Sequence, residues 1–121
     1  MTSTSSSSIP SKIQFGRLIA EQHNEGGTLY TNDKFIHFSI NEWNKLFTHK
    51  LETKLLCLET IILDETKITP IHVHFHKHNT CLWLDIRHYY KNMRGEFIAS
   101  QNGLRLTTEE WDFIKEWQEI L

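Results

Sequence analysis

Two helix-start signals of one type, 68 residues apart, constrain this chain more than any other feature. Ser39-Ile40-Asn41-Glu42-Trp43 and Thr107-Thr108-Glu109-Glu110-Trp111 each place a hydroxyl three residues before a glutamate, with a tryptophan next. The hydroxyl can accept from the glutamate amide while the carboxylate reaches back to the hydroxyl residue's amide, so two orphan donors of a helix start are satisfied at once. Shifting the chain by 68 without gaps superposes Gly27 on Gly95, Glu42 on Glu110 and Trp43 on Trp111. It also brings together Phe15 with Trp83, Leu18 with Ile86, Leu29 with Phe97, Ile36 with Leu104, Phe38 with Leu106 and Leu46 with Ile114. The pattern predicts a unit of strands followed by a capped helix, used twice.

Periodicity fills in the units. Ile13, Phe15 and Leu18-Ile19 read as strand, Asn24 to Gly27 as a turn, and Leu29-Tyr30 and Phe35 to Phe38 as short strands around Asn32-Asp33. A helix is expected from Ile40 to about Leu51, with Trp43, Leu46 and Phe47 inward. Leu55 to Leu63 is apolar and reads as strand, and Ile71 to His76 alternates strictly. Cys81 to Tyr89 is a further strand, with Trp83, Asp85, Arg87 and Tyr89 on one side and Leu84, Ile86, His88 and Tyr90 on the other. Glu96 to Ala99 and Leu104 to Leu106 read as two short strands around Gln101-Asn102-Gly103. The last helix carries a wide apolar stripe of Trp111, Phe113, Ile114, Trp117, Ile120 and Leu121. Trp43, Trp111 and Trp117 are candidates for the interface between units. Residues 1–11, opening with Thr2 to Ser8 as TSTSSSS, read as a disordered tail. Residues 12–54 then form a first hairpin–helix unit and residues 55–121 a second, more complete one.

Charge is segregated. The total is −2, but residues 66–106 hold Lys67, Lys77, Arg87, Lys91, Arg94 and Arg105 against Asp85 and Glu96. Residues 107–121 hold five acids and only Lys115. The expected sheet is basic and the last helix acidic, a field the total conceals. No apolar run approaches a membrane span, and no signal-type apolar segment follows the first residue. Cys57 and Cys81 lack metal-type spacing and, in apolar strands, are expected to be inert in a reducing compartment, although a bond between them fits the count. No nucleophile with a placed base and no phosphate-loop pattern is visible, so no enzyme activity and no cofactor is expected. His72, His74, His76 and His78 share a strand face. They fit a solvated polar row, a pH-dependent nucleic-acid contact or a metal site.

Residues 71–121 resemble the DNA-binding domain of the transcriptional positive cofactor 4 family, single-stranded-DNA-binding coactivators. Leu84-Asp85-Ile86-Arg87-His88-Tyr89-Tyr90, Gly95-Glu96, Gly103-Leu104-Arg105-Leu106-Thr107 and Glu110-Trp111 carry the resemblance. It implies an α+β fold: curved antiparallel sheets, each followed by a helix, here as a tandem, pseudo-dimeric arrangement with a degenerate first copy over 12–52. The family pairs two such units through their helices to hold two opposed single strands. A homodimer or an intramolecular pseudo-dimer follows, with nuclear location, a role in transcription, replication or repair, and a compact virus-like protein as a fitting source. Single-stranded DNA, or RNA, is the implied ligand, and a protein of the transcription machinery a further partner. Arg87 would take phosphate and Tyr90 a base, with Lys77, His78, Lys91, Arg94 and Arg105 completing the surface. His78 stands where the family places a stacking ring, and Gln101-Asn102 is neutral where the family is basic. These departures favour an alternative: a protein-interaction module on the same scaffold with its DNA groove degraded.

Overall fold

A computed structural model describes residues 11–48, 54 and 56–121. Most of the expected tail, the expected last turn of the first helix and Leu55 lie outside the described residues. Four strands, β1 (Lys12–Phe15), β2 (Leu18–His23), β3 (Gly26–Tyr30) and β4 (Phe35–Ser39), form an antiparallel meander that leads into helix α1 (Ile40–Leu46). A second meander, β5 (Ile61–Ile62), β6 (Ile71–His78), β7 (Cys81–Lys91) and β8 (Phe97–Thr107), leads into helix α2 (Thr108–Ile120). The α+β expectation of two antiparallel sheets, each followed by a helix, therefore holds. Among the described residues no helix is long and apolar enough to cross a membrane.

Alternation decides which face of each sheet is buried. Leu18 and Ala20, Leu29, Ile36 and Phe38 point inward from the first sheet; Ile71 and Val73, Leu84 and Ile86, Leu104 and Leu106 do so from the second. With Trp43, Leu46, Trp111, Ile114 and Trp117 they form one continuous core. Both capping boxes are complete. Ser39 Oγ accepts from the Glu42 amide at 3.2 Å and Glu42 Oε1 from the Ser39 amide at 2.8 Å. Thr107 and Glu110 repeat this at 3.1 and 2.8 Å.

The ladders correct the ungapped superposition. From β4 into α1 the shift of 68 holds, because Ile36, Phe38, Glu42, Trp43 and Leu46 occupy the places of Leu104, Leu106, Glu110, Trp111 and Ile114. Upstream it fails. Ile36 pairs with Leu29 and Leu104 pairs with Ile86, so the counterpart of Leu29 is Ile86, not Phe97. By the same pairing Gly27 matches Leu84, not Gly95. Continuing across the sheets, Leu18 matches Ile71 rather than Ile86, and Phe15 matches Leu63 rather than Trp83. The cause is that all three hairpins are longer in the second half, most of all β7–β8, which runs on past Arg87 and returns at Gly103, whereas β3 and β4 turn over directly between Tyr30 and Phe35. A hairpin lengthened at its free end leaves the packed register untouched, so the offset changes while the core does not.

Four local expectations also change. Gly26 and Gly27 belong to β3, and the turn is only Asn24-Glu25. β8 is continuous from Phe97 to Thr107, with a register shift opposite Arg87 and Tyr89 absorbing Gln101-Asn102. In place of a strand from Leu55 to Leu63, only Ile61–Ile62 pairs, and Leu58 has φ of 61°. Cys57 thus sits exposed in a turn, and Cys81 is also exposed; both are free. On α2 the buried stripe is Trp111, Ile114 and Trp117, while Ile120 and Leu121 are exposed, so the stripe is narrower than expected.

The two halves meet through side chains of both. Trp43 and Trp117 pack edge to face at 6.5 Å, Phe47 stacks on Trp111 at 5.6 Å, and Phe15 meets Phe113 at 4.6 Å. Each buried capping glutamate is met by a cation from the other half. Arg17, between β1 and β2, donates to Glu110 from Nε at 3.1 Å and from a terminal nitrogen at 3.2 Å. Lys67, between β5 and β6, reaches Glu42 Oε1 at 2.8 Å. Burial opposes ionisation of Glu110, but the Arg17 bonds and the Thr107 amide outweigh it and hold the carboxyl below its ordinary range.

Candidate nucleic-acid interface

The outward face of the second sheet is fixed by the same alternation that buries Leu84 and Ile86. His74 pairs with Asp85 and His72 with Arg87; across the next ladder Asp85 pairs with Arg105, Arg87 with Gly103 and Trp83 with Thr107. Directly opposed residues share a face, so Trp83, Asp85, Arg87 and Arg105 stand together beside the histidine row. Asp85 is nearly buried and holds both arginines, Arg87 at 3.3 Å and Arg105 at 3.3 Å through one carboxylate oxygen. Arg87 also donates to the Ser100 carbonyl at 3.1 Å. Its side chain is only 15% exposed, against 52% for Arg105. One carboxylate beneath two guanidinium groups leaves a net positive charge and fixes where that charge points.

Gly103 is the residue this arrangement cannot exchange. A Cβ there would stand 2.6 Å from the Ile86 carbonyl oxygen and 2.8 Å from the Arg87 Cα. The missing side chain lets β8 lie close beneath Arg87.

The first half closes one side of this face. Thr31, Asp33 and Lys34, in the turn joining β3 to β4, and Arg17 line a cleft of about 410 Å³ with Trp83, Arg87, Leu104 and Arg105. A neighbouring cleft of about 430 Å³ continues past Asp33, Lys34 and Phe35 to Arg87 and Gln101 to Gly103. Arg17 is anchored there by donating to the Arg105 carbonyl at 2.7 Å as well as to Glu110. Four cations and one indole ring, drawn from both halves, therefore border one open groove, and Asp33 lines both of its parts.

Of the residues singled out in the sequence, Arg87 and Arg105 line this cleft. Lys77 and His78 lie exposed at the β6–β7 hairpin end, where Asn79 turns the chain at φ of 56°. Tyr90, Lys91 and Arg94 lie on the far part of the β7–β8 hairpin. Tyr90 pairs with Ile98, Lys91 Nζ sits 5.2 Å above the Phe97 ring, and Arg94 is exposed in the turn. The register shift falls on β8, so β7 keeps its alternation and Tyr90 emerges on the side opposite Arg87. Arg17 and Lys34 were missed because each sits in a short turn whose sequence has no cationic run. Only the folded chain carries them to the second sheet.

The histidine row divides. His72 is buried, stacked on Tyr89 at 4.0 Å with Phe97 edge-on at 4.7 Å, and its Nε2 meets no hydrogen-bond partner among the described residues. His76 and His78 continue outward with rings 6.4 Å apart. No group of three or more metal-type side chains assembles among the described residues. Burial, with the neighbouring His74 imidazole adding to it, depresses the His72 pKa below its ordinary 6.5. The unfolded chain then takes up a proton that the folded chain resists, so stability is full above 6.5 and falls as the pH drops below it. His72→Phe is expected to flatten this part of the acid response in paired thermal melts. A wild-type minus variant difference that stays constant with pH would contradict it.

No family model, no curated protein and no solved structure matches this chain.

Proposed function

We propose that this chain is a non-enzymatic, single-stranded nucleic-acid-binding protein whose two units act as an intramolecular pseudo-dimer. The observation that carries the proposal is the groove between the halves, where Arg17 and Lys34 from one and Arg87 and Arg105 from the other line one cleft with Trp83. Binding without sequence preference needs these two things: cations that displace counterions from phosphates, and a flat ring on which a base can stack. The crossed pairs Arg17–Glu110 and Lys67–Glu42 support the pseudo-dimer, since each unit supplies the counter-charge for the other's helix start. The positive cofactor 4 resemblance over residues 71–121 agrees in ligand class, and through it we place the protein in transcription, replication or repair, in the nucleus.

Anisotropy of a labelled oligo-dT in rising salt tests the reading. The wild type should lose affinity steeply between about 50 and 200 mM salt. Lys34→Ala with Arg105→Ala should weaken binding and reduce the salt slope by about 1.4, at about 0.7 per phosphate contact on a single strand. Trp83→Ala should cost about 1–3 kcal/mol in binding. No binding at low salt, or binding indifferent to these three side chains, would overturn the proposal. Capture of a protein partner in place of DNA would select an interaction module on the same scaffold.

A further inference from the structure

We infer that the groove takes one strand per chain and takes it in a single polarity. This inference rests on the nucleic-acid reading above and names what the two unequal walls do to it. Two identical units about a twofold axis present every contact twice, so a strand laid either way meets the same groups and a second, opposed strand finds an equal place. Here the two ladders allow the sheets to be compared position by position. Asp85, Arg87 and Arg105 of the second sheet correspond to Thr28, Tyr30 and His37 of the first, and Trp83 corresponds to Gly26.

The corresponding groups of the first sheet are also engaged with one another. Thr28 Oγ1 lies 3.0 Å from His37 Nδ1 and 3.4 Å from His23 Nε2, and the two imidazoles stack at 5.2 Å. Lys12 sits over the Tyr30 ring at 5.8 Å. The Asp85-paired arginines and the indole thus occur on the second sheet alone, while the first half meets the groove with Arg17 and Lys34 from its turns, so the two sides of the groove are not equivalent. Phosphates gain most from the arginine wall, and the ring is at a fixed place beside it. A phosphodiester chain has direction: reversing it exchanges the 5′ and 3′ sides of each phosphate about the stacked base. A site with no twofold equivalence therefore separates the two orientations in energy.

The test uses the full chain with Cys57→Ser, labelled with a fluorophore at Cys81, which is exposed and two residues from Trp83 on the same strand face. The probe is a dT oligonucleotide of about ten nucleotides, within the footprint range of one binding surface, carrying a quencher at its 5′ or its 3′ end. Quenching from one end should exceed that from the other severalfold, and native mass spectrometry should show one strand per chain. Equal quenching from both ends, or two strands per chain, overturns the inference while the nucleic-acid reading stands. Absence of any complex removes both.

Discussion

Trp43→Ala is expected to destabilise the chain by about 3–5 kcal/mol, the range for truncating a large buried aromatic ring. Trp43 has no exposed surface. Its ring meets Phe38 at 5.6 Å, Phe47 at 5.0 Å and Trp117 at 6.5 Å, and its Nε1 donates to Gln22 Oε1 at 2.7 Å. Truncation therefore opens a cavity, leaves the part-buried Gln22 acceptor on β2 without its donor and removes a contact that joins α1 to α2. Because that contact crosses between the halves, both should lose stability together. Urea unfolding followed by circular dichroism should give one transition at a much lower midpoint. A cost below about 1 kcal/mol would refute this account of the core. So would a second transition left at its original midpoint.

Gly27→Ala carries the second large effect, and it comes from too little room. A Cβ at this position would lie 2.3 Å from Trp43 Cε3 and 2.4 Å from Cδ2. The indole is rigid and enclosed on every side, so either the ring or β3 must move, at a cost of about 1–3 kcal/mol. Its dependence on the ring makes the claim sharp. In a Trp43→Leu background, where the clashing atoms are gone, adding Gly27→Ala should cost far less than it does alone. Neighbouring sites that share one volume are expected to be non-additive. Simple additivity of the two costs would show that the glycine answers to something other than the tryptophan.

This pair also shows where reading along the chain stopped. Gly26-Gly27 has the composition of a turn, and nothing local marks it as strand. What decides is a tryptophan 16 positions on, folded back onto the same strand by α1. The superposition at 68 failed upstream of β4 for a related reason. Similar residue types recur along any amphipathic strand, so an ungapped shift finds agreements whether or not the ladders agree. The lengthened β7–β8 hairpin is invisible to such a shift, because the residues that extend its strands, Tyr89, Tyr90, Phe97 and Ile98 among them, are as apolar and aromatic as the strands they extend.

Short-range physics was legible throughout. A hydroxyl three residues before a glutamate specifies a helix start through bonds that span one turn, and both boxes formed. Strict alternation specifies a buried and an open face, and Leu84 and Ile86 separated from Trp83, Asp85 and Arg87 as expected. Those properties depend on neighbours within a few residues, so the chain itself states them. The groove depends on residues far apart: Arg17 and Glu110 are separated by 93 positions, and Lys34, just before β4, reaches the arginine wall because β4 lies against β8 and Trp43 packs on Trp117. Periodicity determines which side of a strand is covered. The tertiary structure alone decided which turn from one half would stand over which face of the other, because that choice is made by core packing and by two crossed ion pairs.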